Sequence, residues 1–241
     1  MMARFAASDV LVAFDYDGTL APINPAPARV TMRKTTRRLL CPVAERYPCA
    51  VISGRAYLDI ERRVKGLPLQ AVFGNHGIEP LWAYPAGAAL VTDWVAQLAP
   101  RLRPLPGVWL EDKQHSLAIH YRRARDPAAT RRAIASAVAD LKEARAIEGR
   151  ASINLLPRRG PNKGRALRHI CRVTGCARAI YIGDDGTDED AFGALTPDRL
   201  LSIRVGRSQR SLARFTLRSQ RDLDALMRLL IMLRTSAPDR R

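Results

Sequence analysis

Residues Val10 to Leu20 read VLVAFDYDGTL. Five apolar residues run without interruption into two aspartates, which are followed by a Gly-Thr pair. An apolar run of that length with no alternation suits a strand buried on both faces, as in a parallel sheet. Its abrupt end in charge sets Asp15 and Asp17 at the carboxyl end of the strand, where open α/β sheets place their ligands. A spacing of two lets both side chains point the same way. Carboxylates held that close repel each other, and a bound cation is the simplest way to offset them. Gly18 allows a sharp turn and Thr19 can satisfy it. A solvated Asp-Gly turn accounts for the same residues, so the rest of the chain has to decide.

Outward from this stretch the pattern repeats. A Pro/Ala-rich loop, APINPAPARV, leads into a helix over Thr31 to Tyr47 despite Pro42. The run from Cys49 ends in Ser53-Gly54-Arg55, a helix follows over Tyr57 to Val64, and a strand over Leu69 to Phe73 ends in Gly74-Asn75-His76-Gly77. Strands alternating with helices at this spacing argue for a parallel sheet with crossover helices. The pattern then breaks. Leu81 to Gly87 is aromatic and turn-like, Leu90 to Leu98 is helical, and Val108 to Glu111 pairs with Ser116 to Tyr121. Asp126 to Ala146 reads as one Ala-rich helix and Ser152 to Leu156 as a strand. This block is expected to be an inserted α+β domain. The first pattern resumes with a helix from Lys163 to Val173 capped by Asn162, a run Ala179 to Ile182 ending in Gly183-Asp184-Asp185, a strand Leu200 to Val205 and a helix Asp222 to Leu233. Residues after Arg234 are expected to fray. The expected fold class is α/β, a Rossmann-like parallel-sheet core over 1–79 and 160–241 with an α+β cap over 80–159.

The length of 241 residues leaves ample core for one large domain or two small ones, and no apolar run is long enough to span a bilayer. The start lacks a secretory pattern, so the protein is expected in the cytoplasm, without a membrane and as a monomer. Four cysteines, Cys41, Cys49, Cys171 and Cys176, have no Cys-x-x-Cys or metal-like spacing and are expected to be buried free thiols. The net charge of +17 raises nucleic-acid binding, but the basic residues are spread along the chain without interleaved aromatics. An arginine-rich composition and an anionic substrate are the preferred explanation, with no nucleic-acid partner.

In a doubly wound sheet the strand ends converge on one crevice. Several acids, one hydroxyl, glycine amides and Lys163 would meet there, which is the equipment of metal-assisted phosphoryl transfer. Hard oxygen ligands suit Mg²⁺ better than Zn²⁺.

DYDGTL, VISGR, the lysine of GPNKGRAL and GDDGTDEDAF, in that order, resemble the four motifs of the haloacid-dehalogenase-like phosphatases. DYDGTLAPI, GNHGIE, SLAIHYR, GDDGTDEDAF and SIRVG together resemble the trehalose-6-phosphate phosphatase family. The resemblance implies an Asp15 nucleophile forming an aspartyl-phosphate, and Asp17 as the acid that protonates the leaving sugar and then activates water. It implies Mg²⁺ held by Asp15, the Asp17 carbonyl and Asp184, with Ser53 and the Gly54 amide on the phosphoryl oxygens. Lys163 would neutralise charge, and Asp185 and Asp188 would orient metal waters and Lys163. Gly18, Thr19 and Arg55 belong to the same expected phosphate loop. A mobile cap would sense the sugar through Lys113, Ser116, His120 and Arg122, with Asn75 and His76 on the core side. The pathway neighbour implied is trehalose-6-phosphate synthase.

One departure stands out. The family carries a glutamate followed by a basic residue on the cap strand before the lysine motif, whereas this chain has Asn154 and Leu156 there. Asn154 can still hydrogen-bond a sugar, without the strength of a charged acceptor. The same chemistry on a glucosyl- or mannosyl-phosphoglycerate or on sucrose phosphate is therefore the alternative. A catalytically inactive basic binding protein is the more distant one, and the intact acids argue against it.

Overall fold

The computed structural model describes residues 1–24, 29–81, 84–149, 151–208 and 210–235. Parts of the Pro/Ala-rich loop (25–28), of the aromatic turn (82–83) and the tail expected to fray (236–241) lie outside the described residues. The first run of elements is α1 (Met2–Ala6), β1 (Val10–Phe14), α2 (Lys34–Arg46), β2 (Cys49–Ile52), α3 (Tyr57–Val64) and β3 (Ala71–Phe73). The middle run is α4 (Pro85–Leu102), β4 (Trp109–Asp112), β5 (Leu117–His120), α5 (Pro127–Val138), β6 (Ala144–Gly149) and β7 (Ser152–Pro157). The last is α6 (Lys163–Thr174), β8 (Arg178–Gly183), α7 (Glu189–Phe192), β9 (Leu200–Val205), β10 (Phe215–Leu217) and α8 (Gln220–Thr235). Two compact units result, one of Met1–Gly77 with Asn162–Arg241 and one of Ile78–Pro161.

The first unit is built on a six-stranded sheet of order β10-β9-β8-β1-β2-β3, and every pair in it is parallel. All five β1 residues are buried because both faces are covered. Val10, Val12 and Phe14 pack in one cluster with Leu40 and Val43 of α2 and Leu223, Met227 and Leu230 of α8. Leu11 and Ala13 fall outside that cluster, and α6 packs on β1 and β2 with Ala166, Leu167 and Ile170 buried. The chain proceeds from β1 to β2 and β3 on one side and returns as β8 on the other, so the carboxyl end of β1 is the switch point where such sheets bind ligands. Asn162 caps α6 as expected, accepting the Arg165 amide at 2.9 Å. Gly77, the last core residue before the insert, abuts Asn162, the first after it: a β-carbon on Gly77 would lie 2.9 Å from the Asn162 carbonyl oxygen.

The second unit is a four-stranded antiparallel sheet, β4-β5-β7-β6, with α4 and α5 on one face. Leu117, Ile119, Ile153 and Leu155 point to Val91, Trp94 and Leu98 of α4 and Ile134 and Val138 of α5. The alternate residues, among them Trp109, Glu111, His120, Ser152 and Asn154, lie on the face away from the helices.

Four sequence expectations need correction. The helix expected over Asp126 to Ala146 stops at Val138, and Ala144–Gly149 forms β6 against β7. Alanine and alternating charge suit either state, and strand pairing decides. The helix expected from Leu90 starts at Pro85, since proline at the first helical position gives up only an N–H that has no partner in the helix. The edge strand β10 was not anticipated. Cys41 is half-buried, whereas Cys49, Cys171 and Cys176 are buried, and all four are free. Among the described residues no helix is long and apolar enough to cross a membrane.

Candidate active site

The ends of β1, β2, β3 and β8 bring the acids of the opening stretch against the second acidic string. Lys163 begins α6 and is 1% exposed. Its Nζ donates to Asp15 Oδ1 at 2.9 Å and to Asp188 Oδ1 at 2.7 Å. Asp188 is saturated: Oδ1 also accepts the Tyr181 hydroxyl at 2.7 Å, and Oδ2 accepts the amides of Asp184 and Asp185 at 2.8 and 3.0 Å. Burial works against its charge, but Lys163 and these donors together hold its carboxyl below the usual range. The ammonium of Lys163 is likewise opposed by burial, yet Asp15 and Asp188 keep it firmly protonated.

Asp15 and Asp184 have no such surplus of donors. Burial pushes Asp15 well above the ordinary carboxylate range; Lys163 opposes the shift and the charges of Asp188 and Asp185 add to it. Burial and then the neighbouring charge of Asp15 do the same to Asp184. Carboxylate oxygens of Asp15, Asp184 and Asp188 lie within 4.8 Å of one another. Asp184 Oδ1 is shielded from solvent and has no hydrogen-bond partner among the described residues. The approach is close by construction: Gly18 has φ +83°, and a β-carbon there would sit 2.0 Å from Asp184 Oδ2. Four acids face one lysine here, and a hard divalent cation fits this all-oxygen, electron-rich group.

Asp17 stands apart from that cluster. Arg55 grips it with two bonds of 2.6 Å, Nε to Oδ2 and Nη2 to Oδ1. Arg55 also donates to Asp59 at 2.8 Å, and Arg63 donates to the other oxygen of Asp59 at 2.9 Å. The arginine expected on a phosphoryl group thus braces the second aspartate. Ser53 is fully buried, and its Oγ accepts the Arg55 amide at 3.2 Å. The amides of Asn75 and His76 donate to the carbonyls of Arg55 and Ser53 at 2.6 and 2.8 Å, which ties the ends of β2 and β3 together. Both residues are buried in the left-handed region, at φ 50° and 59°. The His76 ring fills the space a β-carbon on Gly54 would take, at 2.5 Å.

Two placements differ from expectation. Asp185 does not bond Lys163; its Oδ1 caps the turn at Thr187, accepting the amide at 2.8 Å and the hydroxyl at 2.7 Å. Thr19 does not satisfy the turn after Gly18. The backbone does so, with Gly18 N to Ala21 O and Ala21 N to Tyr16 O at 2.8 Å, and Thr19 Oγ1 is buried without a partner among the described residues. In the second unit His120 Nε2 lies 2.8 Å from Glu111 Oε2, and its ring stacks on Trp109 at 4.2 Å. Lys113 Nζ is 3.8 Å from the same Glu111 oxygen. Ser116 and Asn154 are buried and Arg122 is exposed.

The sequence reading passed over Tyr181, Asp59 and Glu111. A tyrosine inside an otherwise aliphatic buried strand needs a partner for its hydroxyl, and Asp59 and Arg63 stand at i, i+4 spacing on α3, with Arg55 at the same spacing before Asp59 and just ahead of the helix. Those were the available signals.

Known proteins resemble this chain in sequence and fold. The chain matches the trehalose-phosphatase family over residues 13–224. It is 36% identical over 202 residues to a trehalose-phosphate phosphatase of Mycobacterium marinum, which covers 78% of this chain and 52% of that one. The chain therefore spans about half the length of the curated relatives it matches. Its fold is that of the C. albicans trehalose-6-phosphate phosphatase C-terminal domain, with a TM-score of 0.80, 21% identity and 96% of each chain covered. A phosphatase of the haloalkanoate (HAD) superfamily from Bacteroides thetaiotaomicron aligns at a TM-score of 0.64, with 16% identity over 95% of this chain and 97% of that one. The resemblance expected from the motifs is borne out: from Ala13 at the end of the opening strand to Asp224 in the last helix, this chain belongs to the trehalose-phosphatase family.

Proposed function

We propose that this chain is a Mg²⁺-dependent phosphomonoesterase that hydrolyses trehalose 6-phosphate to trehalose and phosphate. The observation that carries the reading is Lys163, buried and bonded to both Asp15 and Asp188 beside the unsatisfied Asp184, in a chain of this family. Asp15 attacks phosphorus and the bond to the sugar oxygen breaks, giving an aspartyl-phosphate. Asp17 donates a proton to the departing oxygen, then takes one from the water that cleaves the acyl-phosphate. Arg55 holds the Asp17 carboxylate in position for both transfers. Lys163 offsets the charge that builds on the phosphoryl group and on Asp15, and Asp188 with Tyr181 fixes where the ammonium sits. Asp185, as the cap of the turn at Thr187, keeps the loop that carries Asp184 and Asp188 in shape. Ser53, the Gly54 amide and the Gly18-Thr19 turn would receive phosphoryl oxygens. The carboxylates of Asp15 and Asp184 and the Asp17 carbonyl would hold Mg²⁺, which when bound supplies Lewis-acid polarisation of a phosphoryl oxygen.

The unit Ile78–Pro161 would act as the cap that selects the sugar. Lys113, His120 and Asn154, with Ser116, Arg122, Asn75 and His76, are the proposed sugar contacts, and Glu111 steadies His120 and Lys113. Asn154 favours keeping a second reading, the same chemistry on another sugar phosphate. Phosphate release with Mg²⁺ over a panel of sugar phosphates, with Asp15→Asn as control, decides between them. Preference for trehalose 6-phosphate that vanishes in Asp15→Asn is the expected result. Activity surviving that substitution would overturn the nucleophile, and preference for another sugar would overturn the substrate alone.

A further inference from the structure

The core carries a second feature that the reaction does not use. From Arg199 to Arg221 the sequence holds seven arginines and no acid, so part of the chain's positive charge gathers locally. Several of these arginines are occupied. Arg204 donates to Glu189 at 2.9 Å and to the Asp185 carbonyl at 3.2 Å; Arg199 donates to the Ala177 carbonyl at 2.9 Å and Arg214 to the Pro197 carbonyl at 2.6 Å.

Arg207 and Arg218 are different. Both are exposed, and neither guanidinium has a hydrogen-bond or ion-pair partner among the described residues. They line one cleft of about 570 Å³ together with Ser208 and Thr216. The cleft is set by the fold. Arg207 lies just beyond the carboxyl end of β9 and Arg218 just beyond that of β10, and the two ends are joined by Gly206 N to Leu217 O at 2.8 Å. This is the end of the sheet on which the aspartates also lie. Two uncompensated guanidiniums facing one concavity repel each other, which leaves the empty arrangement electrostatically unfavourable and an anion-filled one favourable. Planar guanidinium forks with two hydroxyls match a tetrahedral oxyanion, which takes bidentate bonds from arginine and further bonds from hydroxyl groups.

We propose that this cleft is a second anion site, taking the phosphate group of a small phosphorylated molecule or free phosphate through Arg207 and Arg218, with Thr216 and Ser208 as hydroxyl partners. The site is distinct from the aspartate cluster, which repels anions until a cation and Lys163 offset it.

Site-resolved amide NMR of the full chain tests this without using catalysis. Titration with inorganic phosphate, and separately with glucose 6-phosphate, should shift the Gly206–Ser208 and Thr216–Arg218 amides saturably. Preference for one ligand tells free phosphate from a monoester. The double variant Arg207→Ala with Arg218→Ala should weaken that response by at least about tenfold while amides at Asp15–Thr19 respond as before. The Arg207→Lys, Arg218→Lys pair keeps the charge and loses the forks, so it too should weaken binding. Equal shifts from sodium chloride at matched ionic strength, or no saturable shift, would overturn the site. So would tighter binding per phosphate of a single-stranded oligonucleotide with a steep salt dependence, which would mark a polynucleotide surface instead.

Discussion

Lys163→Met removes one charge from a place where water cannot replace it. The side chains of Lys163, Asp15 and Asp188 are 2%, 6% and 0% exposed, and the ammonium is the one cation bonded to both acids among the described residues. Taking away one member of a buried ion pair costs about 3–5 kcal/mol, because the remaining charge stays desolvated. For a chain of this length that corresponds to a fall in melting temperature of roughly 6–20 °C. The loss also has a pH signature. Without Lys163 the folded-state pKa of Asp15, already raised by burial, climbs further, and that of Asp188 rises because it loses the charge that holds it down. A group shifted in that direction leaves stability intact below the unfolded value and withdraws it as pH rises toward the folded one. The deficit should therefore be largest near neutrality and shrink toward acid. Metal-free thermal and urea unfolding of the two proteins across pH, followed by circular dichroism, measures it. A deficit at neutral pH under about 1 kcal/mol, or one that grows toward acid, would refute the reasoning.

Three further outcomes follow from the same geometry. Burial raises Asp15 and Asp184, so protons and Mg²⁺ compete for them; the stabilisation that Mg²⁺ gives and EDTA removes should grow as pH rises above the ordinary carboxylate range, and a thermal shift that declines with rising pH would contradict it. Arg55→Lys cannot reproduce the paired 2.6 Å bonds to Asp17, and kcat on a sugar phosphate should fall about tenfold or more. With an aryl phosphate, whose leaving group needs no proton, the first step, read as the initial burst of phenolate, should be spared while hydrolysis of the aspartyl-phosphate slows, and a burst slowed as much as turnover would argue against Arg55 as the brace of the acid. Gly18→Ala forces a β-carbon onto Asp184 in a backbone conformation alanine avoids, so it should weaken Mg²⁺ affinity about tenfold and stability by about 1 kcal/mol, read from Mg²⁺ titration and urea unfolding.

The strands of the core were legible because VLVAF, CAVI and the run ending at Ile182 are continuous apolar segments closed by charge or glycine, a pattern few other structures produce. The insert was harder. Its α5–β6 boundary runs through alanines, arginines and glutamates that are at home in either state, so only pairing with Ser152–Pro157 reveals a strand. β10 is three residues of an arginine-rich stretch, held by its bonds to β9 and not by its own pattern. At the site, the residue types announced the acids and the lysine, but not who holds whom. Asp17 and Arg55 are 38 positions apart, and the choice of Arg55 for Asp17 over a phosphate comes from the placement of α3 and Asp59. The unfilled oxygen of Asp184 is a balance of donors and acceptors that exists only after folding.

The contact between Gly77 and Asn162 has a consequence for how such chains diversify. Exit and re-entry of the insert share one doorway, so the core meets almost no geometric demand from whatever lies between them. The entropy of closing a loop grows only with the logarithm of its length, and a longer, shorter or differently folded insert could hang from the same two residues at nearly the same cost. Under the proposed function, residues that would cut the phosphate ester and residues that would choose the alcohol could thus change at separate rates, the first fixed by the sheet and the second free to be exchanged as a block.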